Sequence, residues 1–327
     1  MARLALGIAL GGADRPAAHA ARLRWVDRAE ALGLHSVWLP EGHFTPGASA
    51  SPLVALAAFA ARSRTLRLGT TSLLVSIHHP LRIAEEVLVL DALSGGRVWL
   101  GLGRGFRAPL FAGFGVAASA KRDRFDEAVD VLIAAWSGEP FVLAGEHFDT
   151  GGSEVRAALR PVQRPHPSLL VAAFGLKGLR QAAVRGLPYL VSPLEPLDLL
   201  VENHAFHRAH LAHPIAPGVA KAPVMRTVHV ARDDLTAARV HAALEAEARR
   251  LPPGRLPPAL ARAAAGDVAD RVLVGTRSEV ADTIARYRER LGMDLLVART
   301  VVPGADDAAQ AESLERLAEL CAEASAP

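Results

Sequence analysis

The sequence contains a single cysteine, Cys321, among its 327 residues. One cysteine excludes a disulfide framework and a multi-thiolate metal site within the chain, and it favours an intracellular compartment. Lysine is scarce relative to arginine, and 37 basic against 34 acidic residues leave a net charge of only +3. Because the basic residues form no run, the sequence shows no electrostatic footprint of nucleic-acid binding.

Long hydrophobic runs are absent as well. The longest ones, such as residues 53–61, are too short to cross a bilayer. The first residues, MARLALGIALGGA, have the composition of a short signal peptide, but a Gly-Gly turn follows the apolar run at once, which favours a first β-strand. We therefore expect a cytoplasmic protein that does not bind membranes or nucleic acid.

Strand-like and helix-like segments alternate along the chain, half of which is apolar. The pattern predicts strands over 4–10, 35–39, 66–75, 98–102, 168–173, 189–192, 224–231 and 295–301. It predicts helices over 17–32, 52–62, 80–93, 121–136, 176–185, 197–212, 235–250, 278–291 and 308–324. Eight strands, each followed by a helix, predict an α/β fold of the (β/α)8 TIM-barrel type with insertions. A doubly wound open sheet is the alternative.

Two segments interrupt this alternation. Residues 138–167 contain glycine, proline and short strand-like pieces, and residues 251–270 are rich in proline and alanine, with room for a short helix. We expect a single domain over residues 1–327 from which these two excursions depart. Both excursions are candidate lids over a binding site.

The residues that are unusual for a packed core follow predicted strands, where a barrel carries its active site. Glu41 and His43 follow the second strand, and a carboxylate beside an imidazole is a candidate for acid–base chemistry. Thr71 and Ser72 lie near the polar end of the third strand. The alternative for Glu41-Gly42-His43 is an ordinary surface turn.

Two glycine-containing loops could bind a phosphate. In GLGRGF, residues 101–106, the glycines allow close backbone approach and Arg104 can hold a phosphate or a polar ring edge. In AAFGLKG, residues 172–178, backbone N–H groups at a helix start and Lys177 can receive one. Each loop has an ordinary structural alternative, a solvated turn or a strand-to-helix connection. The first motif matches a dinucleotide fingerprint only loosely.

Four histidines recur at intervals of three residues: His204, His207, His210 and His213. On a helix this spacing drifts by about 60° per step, so that all four cannot share one face. A pair of them could bind a metal ion, but the acidic ligands and second shell of such a site are not evident, and we expect a polar helix face and no metal site.

Four segments together resemble the bacterial luciferase-like family of flavin-dependent monooxygenases. AEALGLHSVWLPEGHF is similar to the second-strand signature of that family, which usually ends in Glu-His-His-Phe. HHPLRIAEEVLVLDALSGGRVWLGLGRGF resembles its third helix and fourth strand. AAVRGLPYLVSP and LVGTRSEVADTIARYRERLGMD resemble later segments in the same order.

The resemblance implies a flavin-binding barrel that oxygenates a small organic substrate with reduced FMN and dioxygen, through a flavin hydroperoxide. It implies a separate flavin reductase and a homodimer. It places Glu41 and His43 at the catalytic position and a non-proline cis peptide at Thr71-Ser72, beside the flavin ring. The residues it assigns to the flavin phosphate or its polar tail are Arg104 and the loop of Phe174, Gly175, Leu176, Lys177 and Gly178.

The chain departs from the family pattern at two positions. Gly42 stands where the signature usually has its first histidine, so that either His43 performs the acid–base work or the chemistry differs. Phe106 replaces a polar aromatic residue and implies a more apolar substrate pocket beside the flavin. Two other functions remain open: a deazaflavin-dependent dehydrogenase on the same barrel, and a non-catalytic flavin-binding protein.

Overall fold

The structure is a computed structural model that describes residues 3–13, 15–45, 47–250, 254 and 256–324. The strands are β1 (Ala5–Ala9), β2 (Ser36–Leu39), β3 (Arg67–Leu74), β4 (Val98–Gly103), β5 (Ser168–Ala172), β6 (Tyr189–Leu190), β7 (Pro223–Val230), β8 (Val272–Gly275) and β9 (Leu295–Arg299). The helices are α1 (Pro16–Ala31), α2 (Pro52–Arg62), α3 (Pro80–Ser94), α4 (Ala108–Gly113), α5 (Lys121–Ser137), α6 (Leu176–Ala183), α7 (Leu197–Ala209), α8 (Asp234–Arg249), α9 (Pro258–Ala264), α10 (Arg277–Leu291) and α11 (Asp307–Glu323).

These elements form two compact units. Within the described residues, unit 1 comprises 3–11, 31–38 and 170–324, and unit 2 comprises 12–30 and 39–169. Each unit combines parallel strands with the helices that connect them, as expected where crossover connections place helices on a sheet.

In unit 1, β2, β1, β9, β7 and β8 lie side by side in that order, and every pair is parallel. Leu296 of β9 is opposite Leu6 of β1 and Val224 of β7, which fixes the register at the centre. β5 pairs in parallel with β6. Apolar side chains on both faces of these strands are buried, as parallel strands covered by helices require.

In unit 2, β3 and β4 pair in parallel, with a register shift between Thr71 and Leu73. Helix α3 packs against α2 and α5. The α3 residue Asp91 is fully buried and accepts hydrogen bonds from the N–H groups of Val162 and Gln163. The end of the first excursion is therefore tied to α3.

The two excursions differ in content. Residues 138–167 contain only two isolated antiparallel bridges, Phe141 with Val155 and Ala144 with Asp149. The carboxylate of Glu127 on α5 accepts hydrogen bonds from the backbone N–H groups of residues 146–148. The second excursion contains α9, the expected short helix, whereas residues 251–253 and 255 lie outside the described residues.

Two elements differ from the sequence-based expectation. The expected count of eight strands is wrong because β8 was missed: it has only four residues and pairs with the C-terminal half of β7, Thr227–Val230. The short helix α4, over residues 108–113, was also missed between the glycines of GLGRGF and AGFG. No helix within the described ranges is long and apolar enough to cross a membrane.

Candidate active site

Glu41, a buried carboxylate of unit 2, lies just after the end of β2. The Glu41 side chain is only 1% exposed. Its backbone N–H donates to the carbonyl of Ser72, at 3.1 Å. Its Oε2 accepts from the N–H of Leu74 at 2.6 Å, and its Oε1 lies 2.7 Å from Nε2 of His43 and 2.6 Å from Nε2 of His78. The Glu41 carboxylate is thus hydrogen-bonded to two imidazoles and to the backbone at the end of β3.

The environment keeps Glu41 ionised. Burial alone would raise the pKa of its carboxyl group, but the hydrogen bonds from His43, His78 and Leu74 outweigh that effect and lower the pKa below its ordinary value. An ionised carboxylate can only accept hydrogen bonds. Both imidazoles must therefore donate a proton to it from Nε2.

The peptide bond between Thr71 and Ser72 is cis, as the resemblance implied. A β-carbon added to Gly103 would lie 2.0 Å from Oγ of Ser72, so the absence of a side chain there lets β4 approach the cis peptide closely. Arg104 follows Gly103 directly in the chain. Within unit 2, the structure therefore brings together Glu41, His43, the cis peptide and the start of the GLGRGF turn.

Arg104 is largely buried rather than solvated, at 7% exposure. Its guanidinium lies 5.7 Å from the centre of the Phe125 ring, a cation–π distance. Burial lowers the pKa of Arg104 to about 10, with nearby Arg122 acting in the same direction and Asp126 opposing it. The side chain remains a cation at neutral pH, in a place where an anionic ligand would be attracted.

Aromatic side chains surround the two imidazoles. The Phe114 ring packs edge-on against His43 and His78, with centroid distances of 4.8 and 5.7 Å. Phe44 has a left-handed backbone, with φ of 57°, and its ring packs 5.6 Å from that of Phe114 while remaining exposed. Phe106 is also exposed. Apart from Glu41 and His78, the rings that pack against His43 are thus those of two phenylalanines, Phe44 and Phe114.

The second phosphate-binding candidate lies in unit 1. Gly175, with φ of 69°, precedes the first turn of α6 and permits a conformation that other residues rarely adopt. Its carbonyl accepts from the N–H groups of Gly178 and Leu179. Leu176 and Lys177 are exposed at the helix start, and Phe174 is half-buried. The start of α6 thus offers backbone N–H groups of the kind that can bind an anion, and phosphate binding here stays a prediction.

Two residues of this site, His78 and Phe114, carry no functional signal in the local sequence. His78 stands shortly before Pro80, as residues at a helix start do, and the 3-10 turn over Val75–Ile77 brings it to Glu41. Within the described residues, Glu41, His43 and His78 also form a group whose ligand types and spacing could hold a metal ion. The expectation of no metal site stays a prediction.

The expectation of a polar face for the histidine series is wrong at its first two members. His204 and His207 are buried, and their rings lie 5.1 and 6.3 Å from the ring of Tyr189. Burial lowers the pKa of His204 to about 3, with a smaller contribution from Arg208. These histidines belong to the core of unit 1.

The comparisons with known proteins place the chain in a family. Residues 5–295 match the family described as luciferase-like monooxygenase, and the chain belongs to this family. The oxygenase component of the flavin-dependent trigonelline monooxygenase of Acinetobacter baylyi is 28% identical over 180 residues, which are 54% of this chain and 49% of that protein. The chain spans about half the length of the curated relatives it matches.

Solved structures show the fold over nearly the whole chain. The monooxygenase RslO1 from Streptomyces bottropensis has a TM-score of 0.85 and 28% identity, covering 99% of this chain and all of that one. The oxygenating constituent of 3,6-diketocamphane monooxygenase from Pseudomonas putida, solved with FMN, has a TM-score of 0.80 and 20% identity, with 99% of each chain covered. An F420-dependent secondary alcohol dehydrogenase has a TM-score of 0.72 and 18% identity, covering 98% and 99%. The expected luciferase-like TIM-barrel fold class is confirmed.

Proposed function

We propose that the protein is the oxygenase of a flavin-dependent monooxygenase that uses reduced FMN and dioxygen to oxygenate a small organic substrate. The observation that carries the proposal is the Glu41–His43 pair, which a backbone hydrogen bond from Glu41 to the carbonyl of Ser72 fixes beside β3. Family membership and the similarity to RslO1 support the same chemistry.

The residues fit a phosphorylated flavin on physical grounds. Arg104 is a largely buried cation beside Arg122 and Asp126, and a guanidinium can hold a phosphate through paired, charge-assisted hydrogen bonds. Leu176 and Lys177 present backbone N–H groups and one ammonium at the start of α6. We propose that Arg104 binds the phosphate or polar tail of the flavin within unit 2, where Thr71, Ser72 and Phe106 face the ring system. For the loop of Phe174, Gly175, Leu176, Lys177 and Gly178 in unit 1, phosphate binding stays a prediction.

Reduced FMN, when bound, supplies the electrons that activate dioxygen. The protein supplies placement, exclusion of water and control of one proton. Since Nε2–H of His43 is committed to Glu41, Nδ1 is the ring atom that can give or take a proton. Phe44, Phe106 and Phe114 provide apolar surroundings that suit an apolar substrate.

The first prediction concerns the cofactor. Titration of the protein under anaerobic conditions is expected to show tighter binding of reduced FMN than of reduced F420, by about tenfold or more, a difference of roughly 1.4 kcal/mol. Under 18O2, mass spectrometry of a panel of aldehydes, ketones, sulfonates and chelators should then reveal a product that carries one labelled oxygen atom.

Two outcomes would contradict this proposal. Tight F420 binding with hydride transfer and no label in the product would identify a dehydrogenase, the function of one structural neighbour. Tight FMN binding without turnover across the panel would favour a non-catalytic flavin-binding protein. A separate flavin reductase is part of the proposal, because the trigonelline relative is an oxygenase component.

The second prediction concerns a homodimer. Val54 on α2 and Val89 and Leu93 on α3 are exposed apolar residues, and we name them the α2–α3 face. They line one groove, with Arg82, Glu85 and Glu86 among its polar lining residues. Contiguous apolar surface rimmed by polar residues is typical of an interface. We expect the wild type to have twice the chain mass of 34.5 kDa and Leu93→Glu to be monomeric by light scattering.

Leu235→Glu is the matched control for the dimer test. Leu235 on α8 is even more exposed, at 81%, and is not among the residues that line the groove of the α2–α3 face. Its substitution should leave the mass unchanged. A monomeric wild type, or a Leu93→Glu variant that still elutes at the wild-type mass, would rule out this interface.

A further inference from the structure

Two imidazoles from different loops share one oxygen atom of Glu41. His43 follows β2, and His78 follows the 3-10 turn after β3, yet both Nε2 atoms lie within 2.7 Å of Oε1. The other oxygen, Oε2, is bound by the N–H of Leu74. The His43 ring is nearly buried, and the His78 ring is about a quarter exposed.

The distances indicate protons between these atoms. Hydrogen bonds from N–H to an ionised carboxylate are about 2.7–2.9 Å long. At 2.6 and 2.7 Å the two N···O distances are those of hydrogen bonds. His78 therefore carries its proton on Nε2 and donates it to Glu41.

Sharing an acceptor makes the two hydrogen bonds depend on each other. Each N–H draws electron density from Oε1 and weakens the other bond, while both keep the carboxylate ionised. Phe114 packs against both rings and fixes their orientation. Removal of the His78 donor would leave His43 as the sole imidazole partner of that oxygen and would strengthen its bond.

We infer that His78 is a positioning residue of the proposed oxygenase site, which acts on His43 through the shared oxygen of Glu41 and supplies the second imidazole that Gly42 does not. The catalytic part of this inference rests on the proposed function. Its structural part, the shared oxygen and the two Nε2–H tautomers, is independent of any activity.

Nitrogen-15 NMR of the full chain tests that structural part without flavin or substrate. His43→Gln and His78→Gln assign the two rings, and both are expected as Nε2–H tautomers. In His78→Phe, which keeps a flat ring but has no donor, the Nε2–H proton of His43 should move downfield. In His78→Gln, whose amide can donate to Glu41, it should return toward its wild-type position. An Nδ1–H tautomer at His78, or a His43 signal unchanged in His78→Phe, would overturn the inference.

A double-mutant cycle tests whether His78 acts on His43 through Glu41. His78→Phe is expected to lower turnover about tenfold with reduced FMN and the substrate identified by the labelling experiment, while the Kd for FMN changes little. In the Glu41→Gln background the same substitution should have almost no further effect, and full additivity would contradict a route through Glu41. His79→Phe, on the adjacent residue, is the control and should retain wild-type turnover.

A separate measurement tests the alternative that Glu41, His43 and His78 bind a metal ion. Equilibrium dialysis of the full chain against Zn²⁺ is expected to show no stoichiometric binding that depends on these residues. One bound ion per chain that is lost in both His43→Gln and His78→Gln would overturn the inference and identify a metal centre. If no oxygenated product is found at all, the NMR and dialysis results still decide whether His78 shares Glu41 with His43.

Discussion

Replacing Glu41 by glutamine is expected to lower the free energy of unfolding at pH 7 by about 2–4 kcal/mol. The carboxylate accepts three hydrogen bonds, from His43, His78 and Leu74, and its side chain is almost fully buried. Glutamine has the same shape but only one acceptor oxygen, so its amide group would face at least one N–H donor. Urea unfolding of the two proteins measures the difference.

The pH dependence of that difference has a definite sign. Because the pKa of Glu41 is lower in the folded protein, its contribution to stability is complete above the ordinary carboxyl pKa of about 4.3 and is lost as the pH falls through the folded value. The gap between wild type and Glu41→Gln should therefore shrink from pH 7 toward pH 3. A gap that is small at pH 7, or constant with pH, would contradict the ionised state of Glu41.

Glu245→Gln is the matched control for this experiment. Glu245 on α8 pairs with Arg249 in an exposed i,i+4 bridge, and such pairs contribute about 0.5 kcal/mol or less. The expected loss of stability is correspondingly small. If both variants lost the same stability, the effect of Glu41→Gln could not be attributed to its buried hydrogen bonds.

Most helices and strands could be predicted from the local sequence because residues at their ends determine where they begin and end. Helix α3 begins at Pro80 and is closed by Gly95, whose left-handed backbone ends the helix. Strand β8 escaped because a four-residue strand carries almost no periodic signal and depends on pairing with β7, far away in sequence. The histidines of α7 were misassigned because their burial depends on Tyr189, which the local pattern does not contain.

The residues of the candidate site differ in the same respect, because some have a local sequence signal and others depend on distant parts of the chain. Glu41 and His43 could be predicted because both follow one strand, whose C-terminal end is where a barrel carries its chemistry. His78 could not, since 37 residues separate it from Glu41 and only the 3-10 turn after β3 brings it there. Burial of Arg104 against Phe125 likewise depends on α5, whereas the sequence showed only an arginine between glycines.

Substitution of Arg104 by methionine is expected to raise the Kd for FMN about 10- to 100-fold. Hydrogen bonds to a charged group contribute about 1.5–3 kcal/mol, and each 1.4 kcal/mol is tenfold in affinity. Methionine fills a similar volume, so the fold should tolerate the loss of a buried cation. Fluorescence titration with FMN and with riboflavin separates the phosphate from the rest of the ligand, and the Kd for riboflavin should change less than about threefold.

Two further variants locate the phosphate contact. Lys177 is exposed at the start of α6, so Lys177→Met should weaken FMN binding only a few-fold, since an exposed charge contributes about 1 kcal/mol or less. Arg107, which donates to Oγ1 of Thr45, is the control and should bind FMN normally as Arg107→Met. Equal losses for FMN and riboflavin in Arg104→Met would mean that Arg104 does not contact the phosphate.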